Sequence, residues 1–192
     1  MSDVYHTSDL HLFHDNSKVY EPRGYASTQE MSEGIMDVLF STLKSGDRLI
    51  NYGDNAIEGT WKKGLSQMKA LRAMGVTLEL RIGNHERIFP GKRDSHVYFR
   101  EYAEVFDNIQ LFQRARLDGV QYIQSHMPYW PNDRHEARLR QYRPVDDGLP
   151  IVHGHTHSPN VHDWERHMSV CWDAWGRPVT HGEILDWLRS QV

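Results

Sequence analysis

Val4-Tyr5-His6-Thr7-Ser8 runs into Asp9-Leu10-His11, and the same event recurs four more times along the chain. Arg48-Leu49-Ile50-Asn51-Tyr52 runs into Gly53-Asp54, and Val76 to Ile82 runs into Gly83-Asn84-His85-Glu86. Val120-Gln121-Tyr122-Ile123-Gln124 ends in Ser125-His126, and Leu149-Pro150-Ile151-Val152 ends in His153-Gly154-His155-Thr156-His157. Each apolar run has the length of a buried strand. Strands of an α/β sheet place ligands beyond their carboxyl ends. Two carboxylates, one amide and four imidazoles would then converge on one edge. A mixed oxygen and nitrogen set of that size suits a two-metal hydrolytic centre.

Helical segments fall between these runs. Ser27-Thr28-Gln29-Glu30 reads as a capping box, followed by Met31, Ile35, Val38, Leu39 and Leu43 at helical spacing and stopped by Ser45-Gly46. A second helix is expected from Thr60 to Met74, a third from His96 to Phe106, and a terminal one after the capping box Thr180-His181-Gly182-Glu183. Strands alternate with helices in the first half and become consecutive in the second. That order predicts an α/β class, a layered α/β/β/α sandwich of two mixed sheets flanked by helices, the first more parallel and the second more antiparallel. The apolar faces of the helices read as core.

No repeat, linker or low-complexity segment divides the 192 residues, so a single domain over residues 1–192 is expected, long enough to bury roughly 70% of its unfolded surface. The net charge of −4 provides no global field for nucleic acid. One cysteine, Cys171, excludes an intramolecular disulfide framework and fits a reducing compartment. It also lies outside the ligand runs, which argues against a thiolate metal site. No apolar stretch approaches a membrane span, and the N-terminus enters a strand with no signal peptide, so a cytoplasmic protein is the expectation.

Asp9-Leu10-His11, Gly53-Asp54, Gly83-Asn84-His85-Glu86, His126 and Gly154-His155-Thr156-His157 resemble, in order and spacing, the five signature blocks of the calcineurin-like metallophosphoesterases. The likeness spans most of the chain, and its small size resembles the capless bacterial and phage members. The resemblance implies two divalent metal ions. Asp9, His11, Asp54 and His157 would hold the first, and Asp54, Asn84, His126 and His155 the second, with Asp54 as the shared bridge. Asp9 and His11 are two apart, as are His155 and His157, so on extended backbone each pair points to one side. The nucleophile implied is a metal-bridging hydroxide attacking phosphorus in line. His85 is implied as a catalytic residue that stabilises the transition state or protonates the leaving group.

The resemblance leaves the substrate open. Phosphodiesters of small nucleotide or cyclic type are the expectation. Monoesters, protein phosphoserine, DNA or RNA, and metal-stabilised binding without turnover stand as alternatives. Asn55-Ala56-Ile57-Glu58-Gly59 after Asp54, where protein phosphatases carry Asp-Arg-Gly, counts against a protein phosphatase. The acidic net charge counts against a nuclease. His14, Asn16, Arg87 and Arg134 are candidate substrate contacts, although the Arg134, Arg138, Arg140 and Arg143 run also reads as a solvated face. The ligand types accept Mn2+, Fe2+, Zn2+, Co2+ or Ni2+, with Mn2+ favoured. Trp172 to Val179 resembles the strand and turn that close the second sheet, with Asp173 a candidate support for a metal ligand. Oligomeric state has no signal in the sequence.

Overall fold

The structure, a computed structural model, describes residues 2–129 and 137–191. Four parallel strands, β1 (Val4–Thr7), β2 (Arg48–Asn51), β3 (Thr77–Arg81) and β4 (Asn108–Gln110), form the first sheet, and β9 (Val179–Thr180) joins it antiparallel to β1. The second sheet has the order β5 (Phe112–Leu117), β6 (Val120–Ser125), β7 (Ile151–His153) and β8 (His167–Ser169). Helices α1 (Ser17–Tyr20), α2 (Thr28–Thr42), α3 (Trp61–Ala73), α4 (Phe99–Ala103), α5 (Trp172–Trp175) and α6 (His181–Arg189) complete the chain. All five apolar runs contain a strand, and each candidate metal ligand lies just beyond a strand's carboxyl end.

Both faces of the first sheet are covered, and neighbouring residues of β2 show how. Leu49 packs into a core with Met31, Ile35 and Leu39 of α2 and Met68 and Leu71 of α3. Ile50, on the opposite face, packs into a second core with Tyr122 and Val152 of the other sheet and Ile184 and Leu188 of α6. Side chains alternate along a strand, so a strand buried on both faces must be apolar at successive positions. Arg81 of β3 spans the gap between the sheets: its side chain is buried, its Nη2 donates to Gln124 Oε1 of β6 (2.6 Å), and it pairs with Glu79 (2.8 Å).

Several expectations about elements are corrected. Only β5 and β6 pair antiparallel in the second sheet, and β6, β7 and β8 run parallel. The returns from β6 to β7 and from β7 to β8 therefore cross over instead of forming hairpins. The segment after Trp172 is α5 followed by β9, and it closes the first sheet, not the second. The expected helix from His96 to Phe106 is a 3-10 turn at Ser95–Tyr98 leading into the five residues of α4. At the start of α2, Ser27 Oγ accepts from Glu30 N (3.1 Å), but the Glu30 carboxylate accepts from Ala26 N (2.8 Å), so the box closes one residue early. Among the described residues, no helix is long and apolar enough to cross a membrane.

Candidate metal centre

Beyond β1, the chain turns through left-handed backbone at Asp9 (φ 57°) and His11 (φ 48°). Asp54 (φ 54°), His155 (φ 73°) and His157 (φ 51°) share that conformation. The expectation of extended backbone at the two ligand pairs is therefore overturned. The strands stop first, and the loops turn back at the residues that carry the donors. Such backbone costs on the order of 1–3 kcal/mol per residue and persists only where its surroundings fix it.

Neighbouring loops provide that support. Asp9 N donates to Gly53 O (2.9 Å), His11 N to Asp54 O (3.0 Å) and Gly154 N to His126 O (2.9 Å). Gly53 (φ 92°) and Gly83 touch so closely that a Cβ on Gly53 would collide with Gly83 N, and one on Gly83 with Asp54 Oδ1. Beneath them the buried Glu86 accepts from Asp54 N (2.9 Å), Gly83 N (2.9 Å) and Asn55 N (3.0 Å), which ties two ligand loops to one carboxylate. Burial and the neighbouring Asp54 push the Glu86 carboxyl up to about 7, against the pull of those amide donors.

The donor atoms converge. His11 Nε2 and His157 Nε2 are 3.0 Å apart, His126 Nε2 and His155 Nδ1 3.2 Å, and Asn84 Oδ1 and His126 Nε2 3.1 Å. Asp54 Oδ2 stands between the two sets, 3.4 Å from His126 Nε2 and 3.9 Å from His11 Nε2. Asp9 with His11 and His157, and Asp9 with Asp54 and His126, each bring their donor atoms within 4.8 Å of one another. Burial raises the Asp54 carboxyl, but His126, His85 and His11 outweigh it and hold the group well below the usual range. Burial lowers the His126 imidazole, yet Asp54 and then Asp9 lift it to about 9. Burial takes His11 down to about 3.

These residues fit divalent cations. Asp9 Oδ1 is buried with no hydrogen-bond partner, and His157 Nε2 is 3.5 Å away. The outer nitrogens of two rings are already engaged: His126 Nδ1 with Tyr52 O (2.7 Å) and His157 Nδ1 with Asp173 Oδ2 (2.9 Å). With those outer nitrogens engaged as donors, both Nε2 atoms face inward, where a cation that displaces the inner proton would meet them.

The family model of the calcineurin-like phosphoesterases matches residues 2–174. The chain belongs to this family. It is 30% identical to the gene 66 protein of Mycobacterium phage L5 over 97% of this chain and 94% of that one. To the gene 66 protein of Mycobacterium phage D29 it is 32% identical, over 97% and 96%. A crystal structure of a protein of unknown function from Aquifex aeolicus shares the fold with a TM-score of 0.70 and 19% identity, over 97% of this chain and all of that one. Calcineurin-like phosphoesterases are hydrolases of phosphate esters, and the phosphoester-cleaving class of this chain follows from its membership.

The structure of this calcineurin-like phosphoesterase gathers Asp9, His11, Asp54, Asn84, His126, His155 and His157 in one cluster. His85 stands at its rim, with its side chain 42% exposed, Nε2 3.9 Å from Asp54 Oδ2, and its backbone N donating to Asp54 Oδ1 (2.8 Å). His14 Nδ1 faces His11 Nδ1 at 3.2 Å. Asn16 caps α1 by accepting from Lys18 N (3.1 Å). Arg87 is paired with Glu58 and Asp94 and lies over the Tyr98 ring. Arg134 lies outside the described residues, and Arg143 is buried with Nη1 donating to Pro128 O (3.0 Å).

Three supporting residues carried little or no sequence signal. Asp173 holds His157 and receives both arms of Arg23, Nε to Oδ1 (3.0 Å) and Nη2 to Oδ2 (2.7 Å). The same Arg23 donates to Asp9 O (2.8 Å) and Leu10 O (3.0 Å), so one buried guanidinium fixes the first ligand loop and the His157 support together. Cys171 Sγ lies 3.2 Å from Asp9 Oδ2, and burial with the adjacent carboxylate pushes its thiol well up. The protonated thiol donates to Asp9 Oδ2, so a residue that lies outside the ligand runs in sequence stands against one of the candidate ligands in the fold.

Proposed function

We propose that this chain is a dinuclear phosphodiesterase acting on small nucleotide-type or cyclic phosphodiesters. Asp9, His11, Asp54 and His157 would hold one cation, and Asp54, Asn84, His126 and His155 the other, with Mn2+ favoured. The observation that carries the reading is the partnerless, buried Asp9 Oδ1 facing inward-turned imidazole nitrogens. When bound, such cations supply Lewis acidity, which acidifies water and polarises phosphoryl oxygens.

The protein's own groups do the rest. Asp54 brings anionic charge to the centre of the cluster and is held in place by the His85 amide. His85, half exposed at the rim, can reach an ester oxygen and deliver a proton to the departing alkoxide, a role suited to an imidazole. Diester preference is supported by the state of the nearby cations. Arg23 is committed to Asp173, Arg87 to Glu58 and Asp94, and Lys92 to His85 O and Glu58. A diester brings one negative charge where a monoester brings two, so it needs less cationic help.

The test is hydrolysis of bis-p-nitrophenyl phosphate against p-nitrophenyl phosphate by metal-stripped protein resupplied with Mn2+, beside an Asp54→Ala variant. Metal-dependent diester cleavage that disappears in the variant is expected. Faster monoester cleavage would move the assignment to a phosphomonoesterase.

A further inference from the structure

A cavity of about 530 Å3 opens beside the cluster and shares His157 with it as a wall. That volume falls within the range of small-molecule sites. Its other walls include Tyr25, from the segment between α1 and α2, and Trp172 and Trp175 of α5, with Pro159 from the loop after His157. His157 has two sides: Nε2 belongs to the ligand cluster, and Nδ1 is held by Asp173, which also lines the cavity. An ester whose phosphate met the cluster would turn a substituent into this space.

The chemistry of the walls selects that substituent. The charged groups of the cavity neutralise each other: both arms of Arg23 are spent on Asp173 and on two backbone carbonyls. Among the described residues, no unpaired charge lines it to seat a second phosphate. Aromatic rings share the remaining surface with small and proline residues. Trp175 is fixed in place by Nε1 donating to Ser169 O (2.9 Å) and by the Arg177 guanidinium, 5.1 Å from its ring centre. Tyr25 is backed by Gly34 of α2, where a Cβ would clash with the ring and its hydroxyl. Fixed aromatic walls suit a flat, uncharged heterocycle, because stacking needs preorganised rings.

We infer that this cavity is the seat of the nucleobase of the substrate, so that the site takes nucleoside phosphate esters in preference to esters of the same sugar without a base. The inference rests on the nucleotide-type phosphoesterase reading above and adds to it the place where the base is held. Each stacked base is worth roughly 5- to 160-fold in affinity.

The experiment is calorimetric titration of the Mn2+-loaded full chain with AMP and with ribose 5-phosphate, which differ in the base alone. Bis-p-nitrophenyl phosphate hydrolysis is measured on the same samples. Wild type should bind AMP at least about 10-fold more tightly. Trp175→Ala, which removes a wall, and Ala174→Leu, which fills the space, should each shrink that ratio several-fold. Equal binding of the two ligands by protein that cleaves the diester overturns the nucleobase seat and leaves the phosphoesterase reading standing. An AMP preference unchanged in both folded variants also overturns it. Neither binding nor hydrolysis overturns both readings together.

Discussion

The two oxygens of Asp9 live in different circumstances. Oδ2 accepts from His155 N (2.8 Å) and faces the Cys171 thiol, while Oδ1 has no hydrogen-bond donor among the described residues. A buried carboxylate oxygen left without a partner is costly unless a cation meets it. What holds that oxygen in position is Arg23, through Asp9 O and, by way of Asp173, through His157. An Arg23→Met variant should therefore bind Mn2+ about 10- to 100-fold more weakly, the range seen when groups supporting metal ligands are removed. Calorimetric Mn2+ titration checks this, and an unaltered isotherm in a folded variant would refute the positioning role. His85 makes a contrasting case. His85→Ala should bind Mn2+ as wild type does while losing about 10²- to 10⁴-fold in kcat, as for removal of a general acid. The ligands themselves were legible because each is a donor of the right type directly after an apolar run. Arg23 was not, because Pro22-Arg23-Gly24 looks like any surface turn and its partner stands 150 residues away. Left-handed backbone at five ligands was equally hidden, since Asp and His adopt it only under loop contacts the sequence does not display.

Helix α6 shows how far local rules carry at the scale of an element. Thr180 Oγ1 accepts from Glu183 N (3.2 Å) and the Glu183 carboxylate accepts from Thr180 N (2.8 Å), the full reciprocal box that the four residues suggested. Thr180→Ala should cost about 1 kcal/mol, or roughly 2–4 °C in Tm for a chain of this size, read by thermal unfolding. The box also carries a pH signature. Arg177, and after it the Thr180 donors, hold the Glu183 carboxyl down at about 2, below its unfolded value of 4.5. A depressed carboxyl stabilises the fold above the unfolded value and loses that contribution as pH falls from 4.5 towards 2. The Tm gap between wild type and a Glu183→Gln variant should accordingly narrow across that window, and a constant gap would discard the assignment. Where local rules failed, the chain had no periodic pattern to read. Residues 95–103 split into a 3-10 turn and α4, and β9 is two residues long, too short to register as a strand. The Asp118-Gly119 turn, with both φ angles positive, sets the one antiparallel pair of the second sheet and is a signal that the apolar runs overshadowed.

At the scale of the whole molecule, the ligands are divided between the sheets. Asp9, Asp54 and Asn84 follow β1, β2 and β3, whereas His126, His155 and His157 follow β6 and β7. The five runs made both groups visible in sequence. Their assignment to two sheets was not, because strand order depends on crossovers that no run of residues encodes. Protein contacts already join the sheets: the second core packs between them, and Arg81 bridges Glu79 and Gln124. Cutting that bridge with Arg81→Ala should cost about 1–3 kcal/mol, since it leaves the buried Gln124 carbonyl without its donor, while Glu79 keeps Arg48 and Asn108. Bound cations would act as a further bridge, meeting donors from both sheets at once and finding no such arrangement in the unfolded chain. A ligand bound only by the native state at 100 times its Kd adds about 2.7 kcal/mol. Mn2+ at that level should raise the Tm of stripped protein by roughly 5–10 °C per site. Asp54→Ala removes the carboxylate proposed to serve both sites and should abolish most of the rise. His85→Ala, which leaves the ligand set intact, should keep it. A Tm indifferent to Mn2+ in wild type would mean that the two sheets are held by protein contacts without the cation, and that the converging donors do not bind it in solution.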